Sequence, residues 1–265
     1  MAAPYLAGYR GYGITRAITL ALPQAQVRGF LARGLELLPQ DVTPPGTHPV
    51  VIQFHCFSQC NVSIPNWMPD LAYHEQTFGV PFTGIAPGWP AGGGGGGPYF
   101  FMPQLYLDHS FVVLGGFTFF GFVKQMTRIE VTAERYTVSS QEGARIAALA
   151  WEPETASGFR CPEGYDRFER LRGMLSQPLV SQMPAGGGPF FALSDFPRKW
   201  DAARVRPLRA RLEVDVPYAA GFERGAYPEF GWSPGIDESS LGSFELHAPW
   251  WLSFPYSPVL AGSKR

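Results

Sequence analysis

Three lysines occur in the 265 residues, and Lys124 closes the most apolar stretch of the chain, Phe111-Val-Val-Leu-Gly-Gly-Phe-Thr-Phe-Phe-Gly-Phe-Val-Lys124. Arginine supplies the other 18 of the 21 formal cations, so lysine is not a routine surface charge in this protein. Burial strips the hydration from an ammonium and favours the neutral amine, which is a nucleophile towards carbonyl carbon. The same residue could instead end a core strand and carry its charge to water along an aliphatic stem. His55, Cys56, Cys60 and His74 gather possible zinc ligands within twenty residues. Successive strand side chains point to opposite faces, so His55 and Cys56 cannot readily share an ion, and no metal is expected. Gly231-Trp-Ser-Pro-Gly235 has the form of a nucleophile elbow around Ser233. An elbow needs the backbone N–H after its serine for the oxyanion hole, and Pro234 has none. The run Gly92–Gly97 lacks the Gly-Lys-Ser/Thr of a phosphate loop, so no nucleotide cofactor is indicated either.

The elements that would position these residues read mostly as short strands. Apolar, β-branched and aromatic stretches recur between proline and glycine punctuation at 14–22, 49–57, 71–80, 99–107, 111–119, 128–138, 144–151, 190–193, 208–216 and 243–254. Ile129, Val131 and Ala133 alternate with Glu130, Thr132 and Glu134, and Leu208, Ala210, Leu212 and Val214 alternate with Arg209, Arg211 and Glu213. Each pattern predicts a strand with one wet face. Two helices are expected. One runs over 24–33, entered at Pro23 and ended by Gly34, and the other over 165–176, stopped by Pro178. No interdomain linker or internal repeat stands out, so 1–265 reads as a single domain. The glycine-rich segment 84–98 reads as a surface loop.

Composition narrows the class. Net charge is −1, with 16% charged and 45% hydrophobic residues, which indicates neither a nucleic-acid footprint nor a basic membrane-binding face. The expected partner is a small molecule or another copy of the chain. Three cysteines do not make a disulfide framework, and the first residues lack the pattern of a secretory signal, so cytoplasmic residence is the default expectation. No apolar run reaches the ~20 residues that span a bilayer.

Around Lys124 the order Gln104-Leu-Tyr-Leu-Asp108, Val112-Val-Leu-Gly-Gly116 and Gly121-Phe-Val-Lys-Gln125 resembles the acetoacetate decarboxylase family, in which a "YLDN" strand leads to a "GRE" element and a "YPKK" or "GFPKK" segment. Arg33-Gly-Leu-Glu-Leu37 is similar to the family's "PEPLEL", Tyr73-His-Glu75 to its "YTE", and Ser243-Phe-Glu-Leu-His247 with Trp251-Leu-Ser-Phe-Pro-Tyr256 to its closing strand. The matches are collinear from about residue 25 onward. The resemblance implies a mainly β (α+β) fold, a cone-like antiparallel β-barrel with a few peripheral helices. It also implies a homo-oligomer and a keto substrate bound as a Schiff base without a cofactor. Lys124 matches the imine-forming lysine and Glu75 the family's acidic residue. His55 stands where the decarboxylase carries another glutamate, and is a candidate for acid–base work. Tyr73, Phe117, Phe122 and Gln125 are then expected to line the substrate pocket.

The departures from the pattern shape the expected chemistry. Gln125 replaces the family's second lysine, Val123 the proline before the first, and Phe117-Thr118 the arginine and glutamate of "GRE". No adjacent ammonium can then activate Lys124, and burial among Phe117, Phe119, Phe120 and Phe122 has to do more. An imine serves decarboxylation, aldol addition and dehydration alike. The expectation is a lyase for condensation with dehydration, or for cyclisation, on a larger keto substrate. Acetoacetate decarboxylation proper, or a noncatalytic barrel that binds an apolar small molecule, are the alternatives.

Overall fold

The structure is a computed structural model that describes residues 8–62, 70–89, 96–153, 158–162, 165–218, 222–227 and 242–257. The Ser233 elbow and most of the glycine run lie outside the described residues. In chain order the elements are β1 (Gly8–Pro23), α1 (Gln24–Arg28), β2 (Leu35–Leu37), β3 (Thr47–Val62), β4 (Leu71–Ile85), β5 (Tyr99–Leu107), α2 (Ser110–Phe120), β6 (Lys124–Met126), β7 (Arg128–Val131) and β8 (Arg135–Ser139). There follow β9 (Arg145–Pro153), α3 (Asp166–Leu175), β10 (Leu179–Met183), β11 (Phe190–Ser194), a 3-10 turn (Trp200–Ala202), β12 (Arg204–Val214), β13 (Gly225–Ala226) and β14 (Ser243–Ser253).

The strands form one sheet in the order β11-β10-β5-β4-β3-β1-β14-β12-β9-β8-β7, with β2, β6 and β13 paired off this path to β4, β5 and β12. Most neighbours are antiparallel, but β6 and β10 both run parallel to β5. The described strands form a large mixed sheet rather than a purely antiparallel one, and its end strands β11 and β7 do not pair with each other among the described residues, so the expected closure into a barrel is not seen there. The parallel pairing of β6 has a plain cause. The chain leaves β5, crosses as α2, and re-enters beside β5 in the same direction, as a helical crossover requires.

That crossover overturns a strand expectation. Residues 111–119 are β-rich in composition, yet Ser110–Phe120 is helical. Val112 and Val113 pack on the core, and Gly116 and Phe120 are buried, a spacing close to one helical face. Gly121 ends the helix in the left-handed region, at φ 69°. A helix of such residues is stabilised by what it packs against rather than by propensity. Two smaller differences are similar in kind. The 24–33 helix stops at Arg28, and 128–138 divides into a hairpin of β7 and β8.

Apolar side chains cover both faces of the central strands. Ile52, Phe54, Phe78 and Tyr136 belong to the core on one face, and Phe57, Tyr73, Leu105 and Trp250 to the core on the other. Fully burying one such side chain contributes about 1.5–3 kcal/mol. The α3 helix lays Phe168, Leu171 and Leu175 onto the second core, as its sequence spacing predicts. Among the described residues no helix is long and apolar enough to cross a membrane.

Candidate active site

Lys124 is the first residue of β6 and pairs with Leu105 of β5. Alternation along this short strand turns Lys124 inward and Gln125 out to solvent. The Lys124 side chain is 8% exposed, and Nζ donates to Glu75 Oε2 at 3.1 Å. Glu75 lies on β4 directly opposite His55 of β3, which in turn lies opposite Thr15 of β1. The three strands thus deliver neighbouring polar groups to one face. By the two-residue period, Tyr73, Glu75 and Thr77 share that face, as do Gln53, His55 and Phe57. All six line a cavity of about 60 Å³ together with Lys124. His74 faces the other way and bonds Asp108, Nδ1 to Oδ2 at 2.6 Å.

Gly116 of α2 explains how a lysine stem fits so close to a helix. A Cβ on Gly116 would overlap Lys124 Cε and come within 3.0 Å of Nζ. The helix backbone therefore forms the wall behind the amine. Phe120 and Phe122 are buried beside it, whereas Phe117 and Phe119 are 46% and 60% exposed on the outer face of α2. Phe122 lines the cavity; Phe117 and Gln125, expected there, do not. The reason for both corrections is the same, because the lysine segment is a helix followed by a new strand. The inward positions are consequently not those of one continuous strand.

Electrostatics in the cavity are set by burial. His55 is held well below its ordinary value of 6.5, by desolvation first and then by the charges of Arg198 and Lys124, so its ring is neutral near pH 7. Its Nδ1 lies 2.8 Å from Thr15 Oγ1, and its ring stacks on Phe57. The Tyr73 hydroxyl is pushed well above its ordinary value, again by desolvation and then by Glu75, and remains a hydrogen-bond donor.

Arg198, which sequence reasoning missed, enters the same cavity from the segment between β11 and β12. It is 7% exposed. Nη1 donates to the Leu175 carbonyl at 2.9 Å and Nη2 to Gln53 Oε1 at 3.4 Å. Desolvation lowers its pKa to about 10, which leaves it cationic at neutral pH. Among the described residues no carboxylate forms a salt bridge with it. Phe196-Pro-Arg198-Lys-Trp200 carries no motif, although the aromatic flanks were a signal, since the guanidinium lies 4.7 Å from the Phe196 ring. By the resemblance, Phe117 stands where the family carries an arginine. The fold brings one from a distant part of the chain.

No set of three or more His, Cys, Asp or Glu side chains able to hold a metal occurs among the described residues. The sequence matches no family model and no curated protein. Solved structures do match. The enduracididine biosynthesis enzyme MppR complexed with pyruvate aligns over 97% of this chain and 91% of its own, at TM-score 0.60 and 14% identity. MppR with the condensation product of pyruvate and imidazole 4-carboxaldehyde gives the same TM-score and identity over 97% and 90%. Acetoacetate decarboxylase from Legionella pneumophila aligns over 96% of this chain and 91% of its own, at TM-score 0.57 and 15% identity. The chain shares the fold of these MppR and acetoacetate decarboxylase structures.

Proposed function

We propose that this protein is a lysine-imine lyase acting on a keto acid, and that it favours addition with dehydration over release of carbon dioxide from acetoacetate. The observation that carries the reading is the 3.1 Å contact of Lys124 Nζ with Glu75 in a largely apolar cavity. The amine attacks the keto carbon, Glu75 takes the proton the nitrogen sheds, and loss of water gives the imine. Loss of a proton from the neighbouring carbon gives an enamine, which adds to an aldehyde carbon. A second water is then eliminated, and hydrolysis of the imine frees Lys124. Neutral His55 offers a ring nitrogen for a hydrogen bond to the substrate, and Tyr73 can donate one through its hydroxyl.

Arg198 supports condensation over decarboxylation. A guanidinium bound to the substrate carboxylate stabilises that charge in the ground state, and the stabilisation is lost as carbon dioxide departs. The same ion pair holds a keto acid through an addition that leaves its carboxylate intact. MppR, a fold neighbour, is known with pyruvate and with a pyruvate–aldehyde condensation product. A homo-oligomer belongs to this reading, because Leu114, Phe117 and Phe119 give α2 an exposed apolar face that a second copy would cover.

Incubation of the protein with pyruvate and an aromatic aldehyde is expected to give a conjugated product visible by its absorbance, while carbon dioxide release from acetoacetate stays slow. Efficient acetoacetate turnover that disappears in Lys124→Ala would restore the plain decarboxylase reading.

A further inference from the structure

A second cavity, of about 50 Å³, adjoins the first and shares Tyr73, Phe122, Lys124, Trp250 and Leu252 with it as a common wall. The two differ in chemistry. The first holds Arg198, Gln53, His55, Glu75 and Thr77. The second is roofed by α2 and is lined by Val112, Gly115, Phe120 and Leu71, with Tyr9 and Cys60 beside them. Lys124 borders both. We propose that the two cavities are lobes of one substrate site, which selects a 2-keto acid bearing a branched or cyclic apolar substituent. The carboxylate lies on Arg198, the keto carbon at Lys124, and the substituent under α2. This rests on the imine reading and assigns the substrate class to it.

Three observations support the assignment. The buried guanidinium of Arg198 donates to a carbonyl and an amide oxygen and lies beside the Phe196 ring, but among the described residues no carboxylate pairs with it, and an anion in the first lobe supplies a counter-ion. The second lobe, at about 50 Å³, has room for roughly four water-sized groups. Its described lining contains no cation other than Lys124, so it favours apolar atoms over a second charge. Finally, two of the α2 residues that line the lobe, Gly115 and Gly116, are glycines. A Cβ on Gly115 would meet only the Tyr9 hydroxyl, at 3.7 Å, so the space beside it is open.

The test uses two kinds of ligand. Lactate and 2-hydroxy-4-methylpentanoate have the carboxylate and the second oxygen of a keto acid but cannot form an imine, so calorimetric binding of the pair reads the lobes alone. Burial of an extra carbon contributes roughly fourfold in affinity, and three of them should favour the branched acid by at least about tenfold. Gly115→Leu and, separately, Val112→Phe should shrink that preference towards unity by filling the lobe. Arg198→Gln should weaken both acids by about tenfold or more, while 4-methyl-2-pentanol, which lacks the carboxylate, loses nothing. Equal binding of the two acids by the wild type, a preference that survives both lobe-filling variants, or carboxylate binding indifferent to Arg198→Gln would each overturn the proposal. Borohydride reduction with pyruvate and with 4-methyl-2-oxopentanoate reads the chemistry separately. Ranked hydroxy-acid binding with no adduct from either keto acid would sink the imine reading and leave the lobes standing.

Discussion

Glu75, His55 and Lys124 come from three strands, and what brings them together is side-chain alternation across paired strands. Glu75 and Lys124 were legible because each sits in a short recognisable segment, Tyr73-His-Glu and Gly-Phe-Val-Lys. Arg198 was not, since its importance lies in burial against Gln53 and the Leu175 carbonyl, which no local pattern encodes. The opposite face of β4 gives a titration that can be measured without substrate. His74 is raised to about 9, by its hydrogen bond to Asp108 first and then by that to Cys56. A raised histidine contributes stability that is complete below its unfolded value of about 6.5 and is lost as pH climbs through about 9. Urea unfolding between pH 6 and 9.5 should therefore show a decline in stability that Asp108→Asn largely removes. A decline of equal size in Asp108→Asn would refute the linkage to this pair.

At the scale of elements, α2 decides where the amine points. Alanine is a better helix former than glycine by about 1 kcal/mol, so Gly116→Ala adds to the intrinsic preference of Ser110–Phe120 for helix. The new Cβ nevertheless falls on the Lys124 stem, a flexible side chain that can move away. Gly116→Ala should keep a melting temperature within a few degrees of wild type and lose most keto-acid adduct formation. Full adduct formation in this variant would show that the helix does not set the position of the lysine. The strands around α2 were largely readable from alternation and punctuation, with 99–107 recovered to the residue. The helix itself was not, because Phe, Val and Thr favour a pleated surface and only the packing of Val112, Gly116 and Phe120 overrides that preference. Gly121 in its left-handed conformation was the overlooked stop signal.

At the scale of the whole molecule, a broad sheet with a helix over one end carries two adjoining, largely apolar cavities, and the first of them contains the Arg198, His55 and Glu75 cluster. The amine stands at the boundary between them. The sequence resemblance anticipated the class of fold; the mixed sheet and the second lobe depend on how α2 crosses back to β6, which composition does not reveal. The claim on which the rest depends is that Lys124 forms the imine. Borohydride reduction in the presence of pyruvate, followed by peptide mass mapping, tests it most directly. The account predicts a reduced pyruvyl adduct on the peptide containing Lys124 and none in Lys124→Ala, which should stay folded because Glu75, left without its partner, takes up a proton and is buried neutral. A label confined to Lys199 or Lys264, or no label with any of a panel of keto acids, would contradict it.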